Sequence, residues 1–223
     1  MKTETLLAPR LHLGCGNRYL SGYVNIDYPP DETTIETDGR KVDIYSDIMT
    51  LKYKNSSVSE VRSHHVFEHF DRPTALALLA VWNRWLVMGG QLRIEVPDIQ
   101  KTFLSFLFSF WSRRRRMVAI RHIFGSHEAH WAIHKEGWTK STLIPALKAF
   151  GFEVAAIDKN SWRGTYNLEI TATKVKELSM EEFMSAAKEV LSDYLLDLEQ
   201  TESQILNLWL KAFGKIVSSF QSH

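Results

Sequence analysis

Cysteine is almost absent from this chain: Cys15 is the only one in 223 residues. That excludes an internal disulfide and any multi-cysteine zinc site, and it makes a reducing compartment, the cytoplasm, the expected location. An excess of one charge is lacking too, since 27 Lys and Arg stand against 26 Asp and Glu for a formal net charge of +1. A global attraction to nucleic acid is not expected, so no nucleic-acid partner is predicted. Long apolar runs are missing as well. The first ten residues, MKTETLLAPR, have no apolar core of the kind a signal peptide carries, and no window approaches the roughly 18 apolar residues of a transmembrane helix. The nearest approach, Thr102 to Trp111, is too short to span and runs into Ser112 and the basic cluster Arg113 to Arg116. What remains is ordinary soluble usage, 44% hydrophobic and 24% charged, in a chain long enough for one domain with its own core.

From Arg10 onward short apolar runs alternate with helix-like stretches, which predicts an α/β fold around a mainly parallel sheet. Seven strands are expected, near Leu11–Leu13, Tyr23–Ile26, Val42–Ile44, Val58–Ser63, Gln91–Val96, Phe152–Ile157 and Asn167–Ala172. A helix is predicted over Thr74–Met88, stopped by Gly89 and Gly90, and another over Lys140–Phe150, stopped by Gly151. Residues 97–137 interrupt the alternation and read as an insertion within a domain over residues 1–176. A helical extension follows over 177–223. Its apolar residues recur at three and four spacings, and Leu191, Leu198, Ile205 and Ala212 keep a seven-residue step. Because the sheet is complete by Ala172, this extension is predicted to form a partner interface, a homodimer being the simplest.

The most informative segment is LHLGCGNRYLSGYVNID, Leu11 to Asp27. A strand running into Gly14-Cys15-Gly16 lets the backbone turn sharply and bring its N–H groups near a ligand. Asp27 ends the next predicted strand, where a carboxylate can accept hydrogen bonds from both hydroxyls of a ribose. A dinucleotide fingerprint would need a third glycine at position 19, where Tyr19 stands, and an acid further on than Asp27, so NAD and FAD are not expected. No Walker loop is present either. Further along stand Asp47-Ile48 after the third strand, Val66 to Phe70 (VFEHF) after the fourth, and Leu86 to Asp98 (LVMGGQLRIEVPD) before and through the fifth.

In these ordered motifs the chain resembles the class I S-adenosylmethionine-dependent methyltransferases, in particular the compact type 11-like group. The resemblance covers Leu11 to about Ala172 and implies a Rossmann-like seven-stranded sheet with flanking helices. It implies that Gly14, Cys15 and Gly16 cradle the methionine end of S-adenosylmethionine and that Asp27 binds its ribose. Asp47 would meet the adenine amino group while Ile48 covers the ring, and His65 would border the methyl donor. The group's third loop glycine is missing, and ten residues between Gly16 and Asp27 leave room for a stub of a first helix only. The implied reaction is methyl transfer to an oxygen or nitrogen of a small molecule, such as a sugar or polysaccharide precursor; a non-catalytic cofactor-binding scaffold is the alternative.

Several side chains could serve the acceptor: Glu68 and His69 in the fourth-strand loop, Asp98 after the fifth strand, and His134 near the end of the insertion. Residues His65 to His69 also spell H-x-x-E-H, a zinc-peptidase pattern if helical. Asp71-Arg72-Pro73 reads as a cap and an early helical proline, which puts the motif in a loop, so no metal is expected there. His127, His130 and His134 have spacings that would fit one helical face. Cys15 reads as a small packed residue and not a nucleophile. The Arg113–Arg116 cluster fits the exposed end of a buried helix, an anionic substrate, or peripheral contact with a membrane surface.

Overall fold

The computed structural model describes residues 8–30, 39–106, 112–162, 165–197 and 199–220. Half of the aromatic run (107–111) and Leu198 of the seven-residue series lie outside them. Seven strands form one sheet: β1 Arg10–Leu13, β2 Val24–Asp27, β3 Ile44–Tyr45, β4 Val58–His64, β5 Leu86–Pro97, β6 Phe152–Trp162 and β7 Thr165–Lys174. Their order is β3-β2-β1-β4-β5-β7-β6. The first five pair in parallel, and β7 runs antiparallel to both β5 and β6. The expected mainly parallel, seven-stranded sheet is therefore present. Strand β3 begins two residues late because Asp43 turns its carboxylate onto Asn25, accepting from its backbone N–H at 2.7 Å and its side-chain amide at 2.9 Å.

Helix α1, Arg72–Trp85, starts where Asp71 accepts from Thr74 N–H at 3.0 Å, with Pro73 in its first turn. It ends at Trp85 and not at the glycines. Leu86 already pairs with Val58, and Gly89 (φ 78°) and Gly90 lie in an irregular stretch before Gln91 meets Glu60. Helical spacing continues past Trp85, but pairing with β4 decides. Helices α2, Ile99–Phe106, and α3, Arg113–Phe124, make up the insertion, followed by α4, Lys140–Ala149, whose first turn is closed by reciprocal Thr139–Thr142 bonds. No helix forms between β1 and β2.

The strands alternate, and the alternation separates two unlike faces. Leu11, Leu13, Ile26, Val61, Leu92, Ile94, Leu168 and Ile170 are buried in the single core. The intervening His12, Asn25, Arg62, Arg93, Glu95 and Glu169 point the other way and form a polar layer with pairs among them. His12 Nδ1 lies 3.1 Å from Asn25 Oδ1, and Glu169 takes Arg62 at 3.2 Å and Arg93 at 3.0 Å. A sheet covered by helices on both faces would carry continuous apolar runs. Here apolar packing is one-sided, and the second face is polar.

The tail is α5, Met180–Ser192, and α6, Gln200–Ser219. It packs on its own domain, which overturns the premise of the expected interface. Phe183, Ala187, Leu191, Phe213 and Val217 are fully buried in the common core. Their partner is α1, where eight consecutive residues, Ala75 to Trp82, are buried, so that α1 needs cover on its outer side as well as from the sheet. Leu191 and Ile205 belong to different helices, so the seven-residue step does not run along one. No helix among the described residues is long and apolar enough to cross a membrane.

Candidate active site

The glycine loop hangs from the carboxyl end of β1. Gly14 N–H and Cys15 N–H both reach Ile26 O, at 2.9 and 3.1 Å, which ties the loop to β2. Gly14 has φ 67°, and a Cβ there would stand 1.9 Å from Val66 Cγ2, so this position closes the loop against the β4 loop. Gly16 has φ 50° and faces open space, with no atom within 4 Å of where its Cβ would be. Its N–H donates to Asp27 Oδ2 at 2.7 Å, while Tyr28 N–H reaches Oδ1 at 2.8 Å and Arg40 pairs with Oδ2. The carboxylate thus keeps acceptor capacity on Oδ1. Burial and then the charge of Asp27 push the Cys15 thiol up to about 12, so it stays protonated and packed. Asp47 caps the short 3-10 turn Ile48–Thr50 by accepting from Met49 N–H at 2.9 Å, and Ile48 is buried in the core.

A cleft of about 1310 Å³ opens at the same edge, over the polar face of the sheet. Arg18, His64, His65, Glu95 and Asn167 line one side, and Arg114, Arg115, Arg121 and His122 of α3 the other. Of the residues singled out from sequence, His65, His134 and, from the basic cluster, Arg114 and Arg115 line it. Arg18, His64, Glu95 and His122 were missed, although a glutamate inside the apolar run LRIEV was a legible signal. Glu95 is buried and receives His64 at 3.2 Å and His65 at 3.6 Å. Burial would raise its pKa, but these imidazoles and Asn160 outweigh burial and hold it far below the carboxylate range.

Glu68 comes to the centre of a histidine cluster. It sits in the 3-10 turn Phe67–His69, so His65 and His69 do not share a helix and the zinc-peptidase pattern is not formed. His65, in left-handed geometry at φ 52°, places Nδ1 3.1 Å from Glu68 Oε1. Burial disfavours its charge, yet hydrogen bonds to Glu68 and Glu95 prevail and raise it to about 9, so at neutral pH it is a donor. Glu68 is held low by His65 despite complete burial. His134 Nε2 lies 3.9 Å from Glu68 Oε1, and the His69 and His134 rings meet edge to face at 4.8 Å. Burial lowers the pKa of His134. Asp98 does not join them: it accepts from Lys101 N–H at 2.9 Å at the start of α2 and lies 3.9 Å from Lys159 Nζ. His127 and His130 do not join either, because residues 125–139 form no helix and His127 turns onto Phe124 O.

Solved structures share this fold over most of the chain. A Methanosarcina mazei S-adenosylmethionine-dependent methyltransferase aligns at TM-score 0.50 and 16% identity, over 75% of this chain and 92% of its own. A chain from the Haloferax volcanii complex of the Trm112 methyltransferase activator with a methyltransferase gives 0.51 and 16%, over 78% and 84%. The fold is that of class I methyltransferases. Burkholderia thailandensis 1,6-didemethyltoxoflavin-N1-methyltransferase, solved with 1,6-didemethyltoxoflavin and S-adenosylhomocysteine, gives 0.50 and 14%, over 75% and 72%. No family model and no curated protein matches the chain. At such identities the likeness establishes the methyltransferase fold, and the chemistry must be argued from this chain's own residues.

Proposed function

We propose that this chain is a cytoplasmic S-adenosylmethionine-dependent methyltransferase acting on an oxygen or nitrogen of a small molecule, a sugar or polysaccharide precursor being one class. The observation that carries the proposal is the glycine loop bonded through Gly16 N–H to Asp27, at the carboxyl edge of a methyltransferase-type sheet. Such edges are where open α/β sheets bind ligands. Gly16 fits the cofactor because nothing occupies the space beside it, and Asp27 because Oδ1 can still accept from a ribose hydroxyl. Asp47 and Ile48 follow β3, and in this reading Asp47 meets the adenine amino group while Ile48 covers the ring. When bound, the cofactor supplies an activated methyl on a sulfonium.

The acceptor lies in the cleft, where His65 and His122 hold it. The methyl would pass in line to a lone pair of the acceptor, so the part of this chain's residues is to hold acceptor and donor in register. The proton of a hydroxyl acceptor leaves to the Glu68–His69–His134 cluster. Calorimetric titration with S-adenosylhomocysteine tests the reading. Asp27→Ala is expected to bind about 1 to 3 kcal/mol more weakly than the wild type, the cost of a hydroxyl left without a charged acceptor. Binding by the wild type without turnover of any acceptor would favour the scaffold alternative. Unchanged affinity in a folded Asp27→Ala protein would sink the site.

A further inference from the structure

We propose that Glu68, His69 and His134 bind one divalent transition-metal ion of the zinc or iron(II) kind, beside the cleft that His134 lines. One ligand-capable atom from each of the three lies within 4.8 Å of the other two. The imidazoles are oriented as metal ligands are. His134 Nδ1 lies 3.1 Å from Ile123 O and His69 Nδ1 lies 3.2 Å from Ile133 O. A carbonyl only accepts, so each neutral ring carries its proton on Nδ1 and keeps the Nε2 lone pair. Metal-binding histidines are held in this way, with the second nitrogen donating to a backbone carbonyl.

The carboxylate supplies the independent sign of a missing ligand. Glu68 is 1% exposed, and its Oε2 has no hydrogen-bond partner among the described residues. An unsatisfied oxygen on a buried carboxylate is costly and calls for a donor or a cation. His65 does not meet this need, because it takes Oε1 and divides its charge between Glu68 and Glu95. A second group of the same composition, His64, His65 and Glu95, is the poorer site. Arg18 sits against His64 and 3.9 Å from Glu95, so a guanidinium already holds the place of a cation. Two imidazoles and one carboxylate suit zinc or iron(II) better than magnesium or calcium. The set uses His134 in place of His65 and is unrelated to the helical peptidase pattern.

The catalytic consequence rests on the methyl-transfer reading: with an ion bound, the three side chains serve as ligands in place of the proton acceptor, and a hydroxyl coordinated here would give up its proton more readily, to water in the open cleft. The site itself does not depend on that reading. The test is a titration of chelator-stripped, dialysed full-length protein with Co²⁺, read by ligand-field absorption and by metal analysis. One Co²⁺ per chain is expected, with affinity weakened more than about tenfold in His134→Ala and in His69→Ala. His127→Ala and His130→Ala, outside the cluster, should bind as the wild type does. No binding by the wild type, or equal affinity in either ligand variant that is folded by circular dichroism, overturns the proposal. His69 is partly exposed, so its variant serves if His134→Ala does not fold. S-adenosylhomocysteine titrations on the same samples separate the two readings. Cobalt without nucleoside binding leaves the metal site standing and the methyl-transfer reading fallen; nucleoside binding without cobalt does the reverse.

Discussion

At the scale of single residues, the loop glycines have different jobs. Gly14 is boxed in by Val66 and Gly16 faces empty space, so only the first should be intolerant of a methyl group for steric reasons. Gly14→Ala is expected to cost about 2 to 4 kcal/mol, combining the clash with the left-handed backbone. Pairing it with Val66→Ala should recover the steric part and leave about 1 kcal/mol of backbone strain, as urea denaturation of the double-mutant cycle would reveal. His12 makes a second prediction. It is fully buried, and burial lowers its pKa from 6.5 to about 4. The unfolded chain therefore takes up a proton below pH 6.5 that the folded chain refuses until about pH 4. Stability should fall through that window by up to about 3 kcal/mol. His12→Gln, which cannot titrate, should flatten this part of the curve; an unchanged slope would mean that His12 is solvated or charged in the folded protein.

At the scale of elements, the covering of α1 settles what the tail does. A helix buried over Ala75 to Trp82 has apolar residues all round, and the sheet covers only one side. Phe213 and Val217 of α6 and Phe183 of α5 supply the rest. Phe213→Ala should therefore destabilise the protein by about 3 to 5 kcal/mol, whereas Leu208→Ala, at a position 66% exposed, should stay within about 0.5 kcal/mol. Deleting residues after Met180 should yield an aggregated or unfolded chain. A soluble, cooperatively melting truncation would show that the tail is a separable appendage after all. The all-apolar run ALALLAVW was readable in the sequence and already asked for a cover on both sides. The heptad spacing was misleading because it joined residues of two helices across a loop.

At the scale of the whole molecule, the one-sided sheet explains why the cleft is polar. Its floor is the face on which His64, Glu95 and Asn167 alternate with core residues, and no helix follows β1 to cover that side. The ion pairs there hold the face together. Glu169→Ala would leave Arg62 buried at 7% exposure without its carboxylate, and a loss of about 3 to 5 kcal/mol is expected in denaturant titration. A loss within about 0.5 kcal/mol would show that water or another carboxylate already solvates this arginine.

What the sequence determined by itself was local: strand alternation, the β1 loop glycines, the acid ending β2, and the cap at Asp71 that keeps His65 to His69 off a helix. These depend on neighbours a few residues apart, and period, turn chemistry and capping report such neighbours directly. The candidate cofactor residues were legible for that reason. The tertiary structure alone decided which distant groups meet. It brought His134, from the end of the insertion, onto Glu68, and set Arg18 against His64 across 46 positions of chain. It turned Asp98 away to cap α2 and laid the tail on α1. Sequence spacing carries no information about such meetings, because loop closure over tens of residues costs nearly the same free energy wherever the chain returns. The packing of the shared core selects the return point.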